Sequence, residues 1–92
     1  MLLALLLLNV ATLEPLLDNL FLYRDAANVY VIRSGDRAVL IDFASGGVLD
    51  TLASIGVRHV DAVYLTHRDR DQWFGFEKAA ARRIPIHAHG AP

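Results

Sequence analysis

The segment V-Y-L-T-H-R-D-R-D-Q-W-F-G, residues 63–75, decides the fold prediction for this chain. It begins with an apolar run typical of a buried strand, and an apolar pattern at helical spacing resumes at Trp73. Between these two patterns stand one histidine, two aspartates and two arginines. The segment therefore predicts a polar corner between a strand and a helix, where α/β folds commonly place their binding and catalytic groups.

The polar residues of this corner have the spacing of a metal site. His67, Asp69 and Asp71 alternate with other residues, so on an extended loop their side chains would point to one side. Three potential ligands on one side can bind a single metal ion. Asp71 also precedes the predicted helix, where a carboxylate can accept backbone N–H groups instead. The residues alone therefore predict a metal site or, for Asp71, a helix cap.

The rest of the chain predicts an alternation of strands and helices. Residues 34–37, S-G-D-R, predict a hairpin turn. Gly56 and Pro85 each predict the end of a helix. The predicted elements are strands over 21–23, 29–32 and 38–41, a helix over 48–55, a strand over 60–65, a helix over 73–83 and a strand over 84–88. The order β-β-β-α-β-α-β predicts an α/β fold with a mixed sheet and helices on a face.

Composition limits the classes of function. The chain has 92 residues, enough for one small domain, and 54% hydrophobic residues predict a globular core. A net charge of −1 gives no long-range attraction to nucleic acid, so no nucleic-acid partner is predicted. The absence of cysteine excludes disulfides and thiolate ligands and is compatible with the cytoplasm. The arginines at 68, 70, 82 and 83 predict a solvated, salt-bridged face, with phosphate binding as the alternative.

The N-terminus is an apolar segment. Residues 1–11, M-L-L-A-L-L-L-L-N-V-A, are shorter than the roughly 20 residues that a membrane-spanning helix requires. No transmembrane anchor is predicted. Because no Lys or Arg precedes the apolar run, a cytoplasmic location is favoured over export through a signal peptide. We predict that residues 1–18 form an apolar segment that can lie outside the fold and that residues 19–92 form the domain.

From Leu20 onward the pattern resembles the metallo-β-lactamase superfamily. The matching segments are N-V-Y-V-I (28–32), G-D-R-A-V-L-I-D (35–42) and D-A-V-Y-L-T-H (61–67). Superfamily members form an αββα sandwich of two similar halves, and the resemblance implies that residues 19–92 are the N-terminal half. Members also carry the motif T-H-x-H-x-D-H, followed by a short segment that includes glycine. This chain matches the motif at Thr66, His67, Asp71 and Gly75, but has Asp69 and Gln72 in place of the second and third histidines.

The resemblance implies ligands and roles for these residues. His67 would bind the first metal ion and Asp71 the second, and the carboxylate of Asp69 can also bind Zn²⁺. Because the amide oxygen of Gln72 is a poor ligand, we expect one ion rather than two, with Zn²⁺ favoured and Mn²⁺, Fe²⁺ and Mg²⁺ as alternatives. Asp71 would orient the attacking water or act as a base. Asp42, Thr66 and Gln72 would support the loop, although Asp42 could equally cap the turn after its strand.

Two functions follow from this resemblance. The first is a metal-dependent hydrolase, or a truncated relative, that activates a metal-bound water against an ester, thioester, amide or phosphoester bond of a small-molecule substrate. The second is a catalytically inactive fragment, or a small module that covers an open sheet face by forming a homodimer. His87 and His89 alternate like a metal pair, but superfamily members commonly hold such residues on this strand without a metal role.

Overall fold

A computed structural model of the protein describes residues 12–66 and 75–88. Within these ranges, six strands form one sheet in chain order. They are β1 (Leu13–Leu17), β2 (Leu20–Arg24), β3 (Asn28–Ser34), β4 (Arg37–Ile41), β5 (His59–Leu65) and β6 (Ile86–Ala88). Strands β1 to β4 pair antiparallel, whereas β4 pairs parallel with β5 and β5 pairs parallel with β6. The predicted α/β class with a mixed sheet is confirmed, as is the hairpin between β3 and β4.

The sheet begins earlier than the sequence pattern predicts. Strand β1 lies within residues 1–18, which were predicted as a segment that can lie outside the fold, and it pairs with β2. Asn19, with a φ of 65°, forms the tight turn between these strands. Leu13–Leu17 contains no β-branched residue and does contain Pro15, a residue that strands accept mainly at sheet edges. Pairing with β2 therefore forms a strand that local propensity does not predict.

The helical elements are shorter than predicted. The helix expected over 48–55 is a pair of 3₁₀ turns, Gly47–Asp50 and Leu52–Ile55. Its hydroxyl groups explain the difference, because Thr51 donates to the carbonyl of Val48 at 2.7 Å and Ser54 donates to that of Thr51 at 2.6 Å. Such bonds to carbonyls three residues earlier compete with the α-helical pattern. Gly56, with a φ of 77°, ends the second turn as predicted.

One α-helix, α1 (Phe76–Ala81), lies within the described residues. It falls inside the helix predicted over 73–83, of which residues 73 and 74 lie outside the described part. After α1 the chain turns at Arg83, whose φ is 57°. Pro85 follows, consistent with its predicted role as a stop. Among residues 12–66 and 75–88, no helix is long and apolar enough to cross a lipid bilayer.

The core lies on one face of the sheet, which we call the inner face. A row of directly paired residues crosses it from β2 to β6: Phe21, Val31, Leu40, Val63 and Ile86. These side chains form one cluster with buried residues of the connecting segments and of α1: Phe43, Val48, Leu49, Leu52 and Ala79. The opposite, outer face includes Ile32 and Tyr64, each 46% exposed. The sheet is therefore packed mainly on its inner face.

The parallel pairing of β4 and β5 gives the sheet two chemically different edges. The carboxyl edge consists of the residues that follow these strands, Asp42 after β4 and Thr66 after β5. The amino edge consists of their first residues, Arg37 and His59, which are paired in the register. The predicted metal loop follows β5, so it leaves the sheet from the carboxyl edge.

Candidate functional site

Asp42 and Thr66 are hydrogen bonded to each other at the carboxyl edge. The Thr66 backbone N–H donates to Asp42 Oδ1 at 2.8 Å, and the Thr66 hydroxyl donates to Asp42 Oδ2 at 2.6 Å. The Asp42 N–H donates in turn to the carbonyl of Tyr64 at 2.8 Å. Asp42 is only 6% exposed and is the buried charged residue of the described part of the chain. These bonds fix the position of the residue that immediately precedes His67.

The backbone of Asp42 explains how its side chain reaches β5. Its φ is 65°, in the left-handed region that aspartate tolerates better than most residues. This turn occurs at the first residue after β4, where the chain leaves the sheet toward the inner face. Hydrogen bonds to a buried carboxylate are stronger than those between neutral groups, because the acceptor is charged and shielded from water. The site therefore combines a strained backbone with strong side-chain bonds.

Gly75 lies at the other end of the predicted loop and is packed against Phe43. A Cβ atom placed on Gly75 would lie 2.4 Å from Phe43 Cδ2 and 2.8 Å from the carbonyl oxygen of Ala44. Both distances are shorter than any van der Waals contact, so only glycine fits here without a shift of the neighbouring atoms. Phe43 is fully buried. The ring of Phe43 thus packs directly against the residue at which the loop ends.

Residues 67–74 lie between these two ends and outside the described residues. This range contains the three predicted ligands, His67, Asp69 and Asp71, and the predicted supporting residue Gln72. Their roles stay predictions. Within residues 12–66 and 75–88, no group of three His, Asp or Glu side chains is close enough to hold a metal ion. A site with three such ligands would therefore have to include residues outside these ranges.

A second set of hydrogen bonds at the carboxyl edge joins the β2–β3 turn to the segment after β4. Asp25 Oδ2 accepts the Ser45 N–H at 3.2 Å and the Ser45 hydroxyl at 2.5 Å. The same hydroxyl oxygen accepts the N–H of Gly47 at 3.2 Å. Burial, and then the negative charges of Asp25 and Asp50, raise the pKa of the nearby Tyr23 hydroxyl. Sequence analysis missed this cluster, because an aspartate in a turn carries no sign of a distant serine partner.

The histidines outside the loop occupy separate places. His59 is exposed at the amino edge, which agrees with its position at the start of a strand. His87 stacks on the ring of Tyr64, with ring centroids 4.9 Å apart and an angle of 20° between the planes. His89 lies outside the described residues. The structure therefore gives His87 an aromatic partner. That His89 has no metal role stays a prediction.

Comparison with known proteins agrees with this geometry. The family model for the metallo-beta-lactamase superfamily matches residues 22–92. The crystal structure of DIM-1 metallo-beta-lactamase superimposes with a TM-score of 0.72 at 16% identity, covering 87% of this chain and 42% of that one. A structure of TMB-1 gives a TM-score of 0.68 at 20% identity, with 87% and 43% coverage. No curated protein sequence matches.

Both structural similarities establish a common fold, and the chain spans less than half the length of either solved protein. The family match begins in β2 and covers the remaining strands, α1 and the whole predicted metal loop. It thus includes Asp42 and Thr66, together with the loop between Thr66 and Gly75. The chain belongs to the metallo-β-lactamase superfamily.

Proposed function

We propose that this chain is part of a metal-dependent hydrolase and that His67, Asp69 and Asp71 bind one divalent metal ion. The observation that carries the proposal is the anchoring of both ends of residues 67–74 to one dipeptide. Asp42 holds Thr66 before the loop through two hydrogen bonds. Its neighbour Phe43 packs against Gly75 after the loop. Because both ends of the loop contact the buried dipeptide Asp42–Phe43, the loop is suited to hold ligands in fixed positions.

Metal binding requires this kind of preorganisation. Ligands must lie within about 0.5 Å of their working geometry, and flanking hydrogen bonds and packing commonly provide that accuracy. A loop free at either end would lose conformational entropy each time it bound an ion. In this chain the buried carboxylate of Asp42 and the buried ring of Phe43 restrict both ends before any ion binds. We therefore assign Asp42 and Thr66 a supporting role.

The donor set of the loop fits one ion better than two. One imidazole and two carboxylates match the nitrogen and oxygen ligands of Zn²⁺, and they also suit Mn²⁺ or Fe²⁺, or Mg²⁺ if carboxylates dominate. Gln72 offers only a neutral amide where the superfamily motif has a histidine. A bound ion would supply Lewis acidity and lower the pKa of a coordinated water. Asp71 would orient or deprotonate that water, as the superfamily position implies.

The substrate class of this proposal is a small molecule with an ester, thioester, amide or phosphoester bond. Function in a shared fold depends on the residues and loops around the site. The β2–β3 turn is one such loop, because the bonds from Asp25 to Ser45 hold it at the carboxyl edge. We propose that Asp25 limits one side of the substrate site.

Metal analysis of the purified chain tests the proposal. Dialysis against Zn²⁺ followed by elemental analysis should give about one ion per chain, and His67→Ala or Asp71→Ala should lower the affinity at least tenfold, on the order expected for loss of a ligand. His59→Ala is the matched control, because His59 is exposed at the amino edge, and it should leave the affinity unchanged. Absence of binding in the micromolar range, or an equal loss in the control, would contradict the proposal.

A second candidate function is a dimerising module without a working metal site. The outer face favours it, because Ile32 and Tyr64 expose nearly half of their side chains there. Apolar or aromatic residues surround them in the paired rows of the sheet: Leu20, Leu22, Tyr30, Val39 and Ile41. Exposed apolar sheet faces promote association, and a second copy could cover this one.

Sedimentation of the full chain separates the two candidates. A dimer that binds no metal and dissociates in the variant Ile32→Lys would favour the module. Ser54→Lys, at an exposed residue of the second 3₁₀ turn, adds the same charge away from the outer face and should leave the dimer intact. A monomer at all concentrations would remove the dimerising candidate without affecting the metal proposal.

A further inference from the structure

A cavity of about 360 Å³ lies at the amino edge, the end of the parallel strands remote from the metal loop. Its polar lining is basic and comes from three elements: Arg37 from the start of β4, Arg58 and His59 from the start of β5, and Arg82 from the end of α1. Among the residues that the structure describes, no aspartate or glutamate lines it. The hydrolase proposal does not use this cavity.

Two of the three arginines are available to bind a ligand. Arg37 is occupied, because its Nε donates to both carboxylate oxygens of Asp61 at 2.9 and 3.1 Å and its Nη2 lies 2.5 Å from Oδ1. Within the described residues, neither Arg58 nor Arg82 forms a side-chain hydrogen bond or an ion pair. The nearby Asp36 binds the backbone N–H groups of Arg58 and His59 through its carbonyl oxygen. The cavity therefore has positive charge that no described carboxylate neutralises.

These guanidinium groups are not needed to cap the neighbouring helical elements. At the end of α1, backbone N–H groups of residues 82–84 donate to the last carbonyls of the helix at 2.9–3.3 Å. At the end of the second 3₁₀ turn, Gly56 and Val57 do the same at 3.1 Å. The carbonyl of Ile55 accepts a bond from Arg33 at 3.0 Å. Because these acceptors are satisfied, Arg58 and Arg82 are free to bind a ligand in the cavity.

The inner wall of the cavity is apolar. Leu49, Leu52, Val57 and Ile84 line it, and each is at most 8% exposed. The volume falls in the lower part of the range of about 300–1,000 Å³ typical of small-molecule sites. An inorganic anion would leave this wall in contact with water. A ligand with an anionic end and a small apolar body would contact both the arginines and the wall.

We infer that the cavity binds a small phosphate monoester, with its phosphate between Arg58 and Arg82 and its apolar group against the wall of Leu52 and Val57. A phosphate dianion matches two guanidinium groups in charge and offers oxygens for bidentate bonds. The length of β4 and β5 separates this site from Asp42 and Thr66 by about 16–23 Å, at roughly 3.3 Å per residue. The inference is therefore independent of the proposed hydrolase activity.

Titration of the isotope-labelled full chain with phenyl phosphate, followed by amide NMR shifts, tests the inference. Saturable shifts should appear in residues 57–60 and 82–84, with none at Thr66. Arg58→Gln and Arg82→Gln should each weaken binding about tenfold, the scale of one lost charged hydrogen bond. Arg83→Gln is the matched control, because Arg83 follows Arg82 directly but does not line the cavity, and it should bind within about twofold of the wild type.

The remaining probes identify what the cavity recognises. Inorganic phosphate, which lacks the aromatic ring, and benzyl alcohol, which has a phenyl ring but no phosphate, should both bind more weakly than phenyl phosphate. Benzoate should also bind more weakly, because it has a single negative charge. Lack of saturable shifts with phenyl phosphate would overturn the inference, as would an equal loss in Arg83→Gln. Equal binding of benzoate or of benzyl alcohol would overturn the assignment of a phosphate ligand.

Discussion

At each edge of the parallel strand pair, an aspartate joins β4 to β5, but one aspartate is buried and the other is exposed. At the carboxyl edge, Asp42 is 6% exposed and accepts the N–H and hydroxyl of Thr66. At the amino edge, Asp61 accepts the guanidinium of Arg37, and the two side chains are 41% and 56% exposed. The first contact has a buried charged acceptor and a neutral, exposed partner, whereas the second is a solvated ion pair.

This difference shows that burial, more than formal charge, determines how strongly a contact fixes the chain. Removing Asp42 would take away the buried acceptor of both Thr66 hydrogen bonds and leave the end of β5 without its tie to β4, which is costly. Removing Asp61 would leave Arg37 in contact with solvent, which hydrates it well. The carboxyl edge is therefore suited to hold a loop in one geometry, while the amino edge can tolerate changes of charge.

The largest expected effect is at Phe43, which supports the carboxyl edge from within the core. Phe43→Ala should lower the free energy of unfolding by about 3–5 kcal/mol, because it removes a fully buried ring and leaves a cavity. Urea unfolding measures the loss. Phe76→Ala is the control, since Phe76 is only half-buried at the start of α1, and it should cost clearly less. Equal losses would mean that Phe43 has no special place in the packing of this edge.

The second-largest loss of stability is expected on substitution of Asp42. Asp42→Ala should cost about 2–4 kcal/mol of unfolding free energy, because it removes the acceptor of two hydrogen bonds and places alanine at a φ of 65°. Asp42→Asn keeps one acceptor oxygen and tolerates this backbone, so it should cost less. If metal binds as proposed, both variants should also weaken it, by about 10–100-fold as for other groups that orient ligands. Stability equal to the wild type in Asp42→Ala would refute the comparison of the edges.

Gly75→Ala should change the free energy of unfolding less than the two substitutions above. Whether alanine stabilises or destabilises the protein tests the packing of the loop end. The φ of −86° at Gly75 suits any residue, so alanine there would ordinarily stabilise the protein by reducing the entropy of the unfolded chain. The close approach of Phe43 and Ala44 predicts a loss of about 1–3 kcal/mol instead. The same substitution in a Phe43→Leu background should cost less, because the clashing ring is gone. Stabilisation, or additivity of the two changes, would show that the loop end is not packed as described.

The fold was predictable where local pattern and tertiary structure agree. Strands β2 to β5 follow alternating β-branched and aromatic residues, and the turn at Gly35 has the positive φ, 61°, that its sequence requires. Strand β1 was not predictable, because its residues have low strand propensity and form the strand only by pairing with β2. The 3₁₀ turns were missed because the apolar spacing is helical, while the hydroxyls of Thr51 and Ser54 bond to nearer carbonyls.

The candidate site was predictable in part. The motif pointed to Asp42 and Thr66 as neighbours of the loop, and the structure joins them across 24 positions of sequence. The packing of Phe43 on Gly75 was not predictable, because sequence spacing gives no distance between remote residues. The basic cavity was also missed. Arg58 and Arg82 lie in separate segments, and only the packing of α1 beside β5 brings them to one cavity.

The smallest expected change in stability comes from the Arg37–Asp61 ion pair at the amino edge, and it depends on pH. The hydrogen bond from Arg37 lowers the pKa of Asp61 below its ordinary value of 3.8, so the ion pair stabilises the protein above that value and is lost as pH falls through the lowered pKa. Asp61→Asn should therefore unfold slightly more easily than the wild type near neutral pH, and the two should converge once the pH falls below the lowered pKa of Asp61. Melting curves from about pH 2 to 7 at two salt concentrations measure this, and salt should reduce the difference because both groups are exposed. Arg37→Gln removes the same pair and should follow the same pH course. A difference that persists in acid would show that Asp61 acts through packing rather than charge, which would make the two edges alike.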